Sequence, residues 1–378
     1  MQWVFWISVG GLLYVYFGYP AILWLVSKIK FRPINRKSIT SPITIIIPAY
    51  NEEEEIEKRI QNILDSNYPE EKIEILVSSD GSTDRTDQIV EKIASKDGRV
   101  RLIRSSVREG KTAALNRAVP YANGEILVFT DANTQFEPSA LRHITRAFAD
   151  QKVGCVAGRK VIYGRENNKE AEGLYWKYEN FLKTRESCIH SCIGADGSIY
   201  GIRKELYCFP DARRGYADDG MISMAVIAQG YRLVYEPGAQ AYETTSSSFW
   251  REYRRKIRTL SGGLEWMVTL RKLFAPFKSP VWWQLWSHKL LRFTIPFFLV
   301  GFIASSAFLS FSHASILYRI AFGLVILLYT LGIGAILGCP HKVCRLAFYL
   351  GYMNFAFLSA LLRFLTRRSE TTWEKLGR

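Results

Sequence analysis

The sequence predicts an α/β domain, a mostly parallel sheet covered by helices, flanked at both ends by helices that cross a membrane. Three observations predict it. Short apolar strands alternate with helical spacing four times between residues 43 and 129, polar clusters follow three of those strands, and long apolar runs stand towards the two ends of the chain. Such alternation builds parallel sheets whose ligands bind beyond the carboxyl ends of the strands.

Taken in order, the chain opens on Trp3 to Val26, which carries no charged side chain and exceeds the roughly 20 apolar residues needed to span a bilayer. No basic residue precedes it and no small-residue cleavage site follows, so a transmembrane helix is expected rather than a cleaved signal. The β-branched run Ile43 to Ile47, ended by Pro48, reads as a strand buried on both faces. Ile56, Ile60, Ile63 and Leu64 keep helical spacing, and Ile73 to Val77 forms the second strand after the Tyr68-Pro69 turn. A helix at Thr83 to Ala94, a strand at Val100 to Ile103, a helix at Thr112 to Val119 and a strand at Glu125 to Phe129 follow. Apolar runs return at Leu290 to Phe311, Ile316 to Leu337 and Leu346 to Leu362. The expected division is a transmembrane helix at 1–28, a water-soluble domain at 29–248, amphipathic interfacial helices at 249–288, a membrane domain at 289–366 and a basic tail at 367–378.

The formal charge of +15 takes its meaning from its placement. Lys28, Lys30, Arg32, Arg36 and Lys37 follow the first apolar run, and Arg251, Arg254, Arg255, Lys256, Arg258, Arg271, Lys272 and Lys278 crowd the approach to the second. Positive charge beside membrane segments marks the cytoplasmic side and attracts anionic lipid. A lipid bilayer is therefore the expected partner, and nucleic acid is not, since no binding motif accompanies the charge. The rule puts residue 1 outside and the soluble domain in the cytoplasm of a multi-pass cell-membrane protein. Arg363, Arg367, Arg368, Lys375 and Arg378 favour a cytoplasmic tail too, so one of the last three apolar runs is expected to be re-entrant or to lie along the interface, the final and shortest being the candidate. Cys188, His190 and Cys192, and likewise Cys339, His341 and Cys344, do not fit zinc spacing, so the cysteines read as reduced thiols.

Pro48 to Glu52, Ser78 to Asp84 and Asp131 to Asn133 stand at strand ends. Each has an ordinary use by itself: Asp80-Gly81 makes a turn, and Ser82 or Thr83 caps a helix. Lys111 at a helix start joins a cation to free backbone N–H groups, a setting for phosphate, although a solvated lysine would look the same. Asp196 by itself suits a helix cap. Asp218-Asp219 by itself reads as a helix N-cap with one idle acid.

The segments IIIPAYNEE, SSDGSTDRT, GKTAALN, TDANT, GADGSIYGIRKEL, YADDGMISM and RRKIRT, over about residues 42 to 270, together resemble the family 2 glycosyltransferases. That group, with a GT-A (Rossmann-like) fold, includes cellulose, chitin and hyaluronan synthases and many lipid-sugar transferases. The resemblance implies a UDP-sugar donor held by Pro48, Tyr50, Glu52, Asp80, Lys111, Asp131 and Arg258, with Asp80 accepting from a base N–H. It implies Mg²⁺ or Mn²⁺ on Asp131 and Asn133, acceptor contacts at Asp196 and Gly197, and Asp219 as catalytic base beside Asp218. The implied reaction inverts the anomeric centre and serves a lipid-linked or glycan acceptor at the membrane. The chain departs from the family's pattern at Ser79, where an aspartate is common, at Asn133, where a carboxylate is, and at Arg255 and Thr259, which replace the glutamine and tryptophan of QxxRW. A processive synthase that extrudes its product and a non-catalytic subunit of an assembly complex are the alternatives. Thr259 lacks an aromatic face for a growing chain, and Trp266 lies about 10 Å further along the helix. Transfer of one or a few sugars is therefore expected, with Tyr200 or Trp176 as other aromatic platforms.

Overall fold

The computed structural model of the chain describes residues 1–163, 169–244, 249–312 and 315–366, so the basic tail lies outside the described residues. Among the described residues, eight strands form one sheet: β1 (Ile43–Ala49), β2 (Ile73–Asp80), β3 (Val100–Ser105), β4 (Ile126–Phe129), β5 (Thr134–Phe136), β6 (Val153–Tyr163), β7 (Tyr200–Arg203) and β8 (Arg232–Thr244). Their order is β3-β2-β1-β4-β7-β6-β8-β5. The four strands read from the sequence, β1 to β4, pair parallel with one another. Beyond them the sheet is mixed, because β7 runs antiparallel to both β4 and β6, and β5 antiparallel to β8. That reversal has a positional consequence. Tyr200 pairs with Phe129, so the residues just before β7 arrive beside those just after β4.

All seven residues of β1 are buried. Alternation sends Ile45 and Ile47 into the core on one face and Ile46 into the core on the other, as the two-residue repeat of a strand requires. Helices α2 (Ile56–Leu64) and α3 (Thr86–Ala94) bury Ile56, Ile60, Ile63 and Val90 on the first face, while α4 (Lys111–Ala118) places Leu115 and Ala118 on the second. Each such side chain contributes about 1.5–3 kcal/mol by leaving water. Helices α5 (Ala140–Arg146), α6 (Lys169–Ile189), α7 (Asp218–Ala228) and α8 (Phe249–Thr269) complete the domain.

Among the described residues, four helices are long and apolar enough to cross a membrane: α1 (Gln2–Ile29), α9 (Trp282–Ser312), α10 (Ile316–Ile336) and α11 (Lys342–Leu365). Small residues let α1 and α9 touch. A Cβ on Gly11 would stand 2.6 Å from the Phe298 ring, and one on Gly301 2.6 Å from Ser8 Oγ, the close approach that membrane helices use in place of a hydrophobic drive. Further along α1, Tyr19 and Leu23 leave the apolar bundle and pack on Leu182 of α6.

The last apolar run is one unbroken helix with no re-entrant turn. It lies against α8: Phe249 packs on Phe348 and Tyr352, and the hydroxyls of Tyr253 and Ser359 are 3.0 Å apart. Ala360, near its end, is fully buried in the same core as Leu264, Trp266, Leu285 and Phe293. The last turns of this helix are thus packed on the soluble domain. A cysteine replacing exposed Thr366 should therefore react with a membrane-impermeant maleimide from the same side as one replacing exposed Lys96. Labelling from opposite sides in oriented vesicles would show that α11 crosses.

Candidate active site

Four chain segments meet at the carboxyl ends of the central strands. Asp131 follows β4, and Lys111 opens α4 after Gly110, whose φ of 103° suits a residue without a Cβ. Gly197 precedes β7, and Asp218 and Asp219 open α7. Lys111 Nζ lies 2.7 Å from Asp131 Oδ1 and 3.3 Å from Asp218 Oδ2. The backbone N–H of Gly197 donates to Asp219 Oδ2 at 2.9 Å. Gly197 is the hub: a Cβ there would meet Lys111 Nζ at 3.3 Å, Asp131 Oδ2 at 3.4 Å and Asp219 Oδ2 at 3.6 Å. The side chains of Asp218, Lys111 and Asp131 remain 13%, 24% and 33% exposed, so the cluster opens to a ligand.

Three carboxylates around one ammonium leave excess negative charge when all are ionised, and the titration of the cluster follows from that. Burial pushes Asp219 up to about 7, with the charges of Asp218 and Asp196 adding to it and Lys111 opposing. Burial also raises Asp131, against the pull of Lys111. Lys111 loses to burial but is held strongly protonated by Asp131, Asp218 and Asp219. Asp196 behaves oppositely: burial disfavours its charge, yet Lys160, Lys183 and hydrogen bonds from Ser198 hold it below the usual carboxylate range.

The nucleotide-side residues form the shoulder of this cluster. Pro48 sits in β1 beside Ser78 of β2. The Tyr50 ring carries the Arg108 guanidinium 3.9 Å from its centroid, and the backbone N–H of Glu52 donates to Thr86 Oγ1 at 2.7 Å. Asp80 is fully buried and accepts from the backbone N–H groups of Glu109 and Gly110, the latter at 2.7 Å. It therefore fixes the turn that delivers Lys111. Asn133 lies in the turn between β4 and β5, and Arg258 is half-buried on α8 one turn before Gly262.

Several positioning residues escaped the sequence reading. Arg59 is fully buried, stacks 3.8 Å from the Phe136 ring centroid and donates to Thr130 Oγ1 at 2.9 Å. Thr130 in turn lies 2.8 Å from the Ser198 carbonyl, so Arg59 braces both sides of the site. Its signal was a charge on the apolar face of α2, between Ile56 and Ile60. Trp266 and Gly262 are the others. A Cβ on Gly220 would stand 2.7 Å from Trp266 Nε1, and one on Gly262 only 2.4 Å from the Ala217 backbone nitrogen. Helix α8 thus presses directly on the turn that presents Asp218 and Asp219.

Sequence profiles described as "Glycosyl transferase family 2" and "Glycosyl transferase family group 2" match residues 44–207 and 126–337, the second covering more than half of the chain. The chain is a family 2 glycosyltransferase. Among its relatives, the beta-monoglucosyldiacylglycerol synthase of a Nostoc strain is 33% identical over 35% of this chain and 28% of the relative. The poly-beta-1,6-N-acetyl-D-glucosamine synthase of Staphylococcus aureus is 27% identical over 69% of this chain and 66% of the relative. The chain thus spans less than two thirds of either. A mannosyltransferase from Pyrobaculum calidifontis, solved with GDP-Man and Mn²⁺, superposes with a TM-score of 0.75 at 22% identity, over 97% of this chain and 99% of that one. It shares the GT-A fold, and with it the transferase's mixed sheet.

The chemistry of the donor set bears on a divalent cation. Among the described residues no three His, Cys, Asp or Glu side chains form a cage. One carboxylate and one amide oxygen, beside further negative charge, suit an ion that keeps most of its ligands from phosphate and water. Asp131 and Asn133 fit that description. Gly197→Ala should leave the transferase folded, since the added methyl meets only side-chain ends at 3.3 Å or more. Sugar transfer should fall at least tenfold as Lys111, Asp131 and Asp219 are pushed apart, measured as nucleotide release per folded enzyme.

Proposed function

We propose that the protein transfers a sugar, with inversion, from a UDP-sugar to a membrane-associated acceptor, in the synthesis of a glycolipid or polysaccharide. The observation that carries this reading is Asp219. Its carboxyl group titrates near neutrality, next to the Lys111–Asp131 pair and across Gly197 from it, which is what a general base for an acceptor hydroxyl requires. Asp219 takes the proton as the acceptor oxygen forms its bond to the anomeric carbon, and the bond from that carbon to the diphosphate breaks on the opposite side. Lys111 leaves Asp131 for the departing diphosphate, and Arg258 adds a second cation from α8. Asp131 and Asn133 would hold Mg²⁺ or Mn²⁺, which when bound would neutralise charge on that leaving group. Tyr50, Glu52 and Pro48 seat the nucleotide, Asp80 serves them from behind by fixing the Glu109-Gly110 turn, and Asp196 and Gly197 border the acceptor.

Basic residues beside α1 and along α8 favour the cytoplasm for the catalytic domain, where nucleotide-sugars are made. Trp266 is buried over α7 and Thr259 is exposed, so neither offers an aromatic platform for a polymer. Transfer of one or a few sugars is the reading this favours. The Staphylococcus relative makes a polymer, and the Nostoc relative a glycolipid; a product ladder running to long chains while most acceptor is unused would favour the first.

Asp219→Asn should abolish transfer and leave nucleotide binding near wild type, because the base acts on the acceptor. For the wild type, kcat/KM should rise with pH through about 7 and level off above it, falling tenfold per pH unit on the acid side, since only the ionised carboxylate accepts a proton. A rate flat from pH 5.5 to 8 removes Asp219 from that role.

Donor identity and metal dependence share one assay. With UDP-sugars and GDP-sugars compared in lipid, the expected result is release of UDP, suppressed by EDTA and restored by Mn²⁺ or Mg²⁺. Release of GDP alone would move the chain towards the Pyrobaculum enzyme's donor, and an EDTA-resistant rate would remove the cation.

A further inference from the structure

Arg255 stands where QxxRW has its glutamine, and its guanidinium is turned onto two carboxylates. It lies 2.8 Å from Glu243 Oε1 and 2.9 Å from Glu252 Oε1, one turn earlier on α8. Glu243, near the end of β8, pairs with Lys160 of β6, and the Lys160 ammonium stands 3.9 Å from Asp196 Oδ1. Arginine, glutamate, lysine and aspartate thus alternate in one line. The line runs from α8 across two adjoining parallel strands to the loop that holds Gly197.

Glu243 and Lys160 are only 7% and 8% exposed. A charge that deep is costly unless it is paired, and replacing a buried pair by apolar residues of the same shape is often neutral or stabilising. Stability alone therefore does not account for the line, whereas fixed geometry does, because a satisfied buried network is rigid. Burial works against the charge of Glu243, yet Lys160 and Arg255 hold it below the usual carboxylate range. Burial works against Lys160 too, but Asp196 and Glu243 raise it above the ordinary lysine value. The Trp176 ring covers the same ammonium, its centroid 5.6 Å away. Glu243 also pairs across the sheet with Thr134, the residue after Asn133, so the line touches the strand that follows the Asp131–Asn133 turn. Asp196 is its open end. Its Oδ1 accepts from the Ser198 backbone N–H at 3.1 Å, Lys183 on α6 adds its charge, and 20% of the side chain remains exposed to a ligand.

We propose that Arg255 and Lys160 are positioning residues for the acceptor: Arg255 holds Glu243, Glu243 holds Lys160, and Lys160 holds the Asp196 carboxylate where it meets an acceptor hydroxyl beside Asp219. The assignment rests on the reading of Asp196 as an acceptor contact and names what sets that contact. Lys160 is shared between two carboxylates, and Arg255 decides the sharing. A glutamine at position 255 is neutral, so it would leave Glu243 with Lys160 as its cation and draw that ammonium away from Asp196. The departure from QxxRW at this position thus acts on the acceptor side of the site, while Arg258, one turn further along α8, serves the donor side.

The test separates half-saturation from maximal rate. Purified full-length protein in detergent is assayed by nucleotide release, with a total lipid extract as the source of acceptor. Arg255→Gln should raise the extract concentration giving half-maximal rate about fivefold, the size of a coupling between contacting charges, and keep the maximal rate within about twofold. Arg255→Lys retains the cation and should stay near wild type. Lys160→Met should act like Arg255→Gln, and the Arg255 variants carry the test by themselves if that buried change fails to fold. Asp196→Asn should raise the same half-saturation. Arg255 stands three links from Asp196, so the double variant Arg255→Gln/Asp196→Asn should be no worse than Asp196→Asn, because the group on which the line acts is already gone. Multiplied losses in the double variant, a wild-type half-saturation in Arg255→Gln, or a fall in its maximal rate alone would overturn the positioning role and leave Asp196 as an acceptor contact. An unchanged half-saturation in Asp196→Asn would instead remove that contact, and the role assigned to Arg255 and Lys160 with it.

Discussion

The Lys111 ammonium, set among the carboxylates of Asp131, Asp218 and Asp219 across a residue with no side chain, is the constraint on which the site depends. Two unit charges 4 Å apart interact by about 4 kcal/mol at the effective dielectric of a protein surface. Three acids packed this closely without the lysine would repel one another at comparable cost, and some would be protonated. With it, a charge excess remains, and burial with the neighbouring charges pushes Asp219 up to about 7. The same arrangement leaves the cluster too negative for an anion such as a diphosphate to approach alone. That is a physical reason for expecting a divalent cation or a second basic residue, independent of any likeness to other transferases.

Much of the fold exists to hold these four residues in register. The antiparallel turn into β7 brings Gly197 to Asp131, and Arg59 ties the two from behind through Thr130. Asp80, spent on the backbone of Glu109 and Gly110, sets where α4 begins. The Asp218-Asp219 pair is held from the membrane side, because Gly262 and Trp266 of α8 touch Ala217 and Gly220. A shift of α8 therefore moves the turn that carries Asp219.

The parallel half of the sheet was legible because β1, β2 and β4 are apolar runs bounded by turn residues, and burial on both faces leaves that pattern. The antiparallel half was not, since β7 is a four-residue strand containing glycine, and its pairing depends on partners distant in sequence. The polar motifs identified residues that do meet, namely Lys111, Asp131, Gly197, Asp218 and Asp219. They could not say that Asp80 would be turned inward to the backbone. Arg59, Lys160 and Glu243 had no motif at all, because a buried ion pair is a property of two surfaces that only tertiary structure brings together.

The seating of α11 ties these points to the membrane. By composition it matches a crossing helix, and hydropathy alone treats it like α10. Both keep large apolar side chains exposed, Leu324, Leu327 and Ile333 on α10 and Phe355, Leu362 and Leu365 on α11; what α11 adds is Ala360, fully buried in the core it shares with Leu264 and Trp266 of α8. Small residues facing α8 let α11 close on the domain, and aromatic contacts from Phe348 and Tyr352 to Phe249 seal the outer end. Helix α8 is thereby held between α11 and the catalytic turn. A displacement of α11 would therefore reach the turn that carries Asp218 and Asp219 through the same helix that positions it.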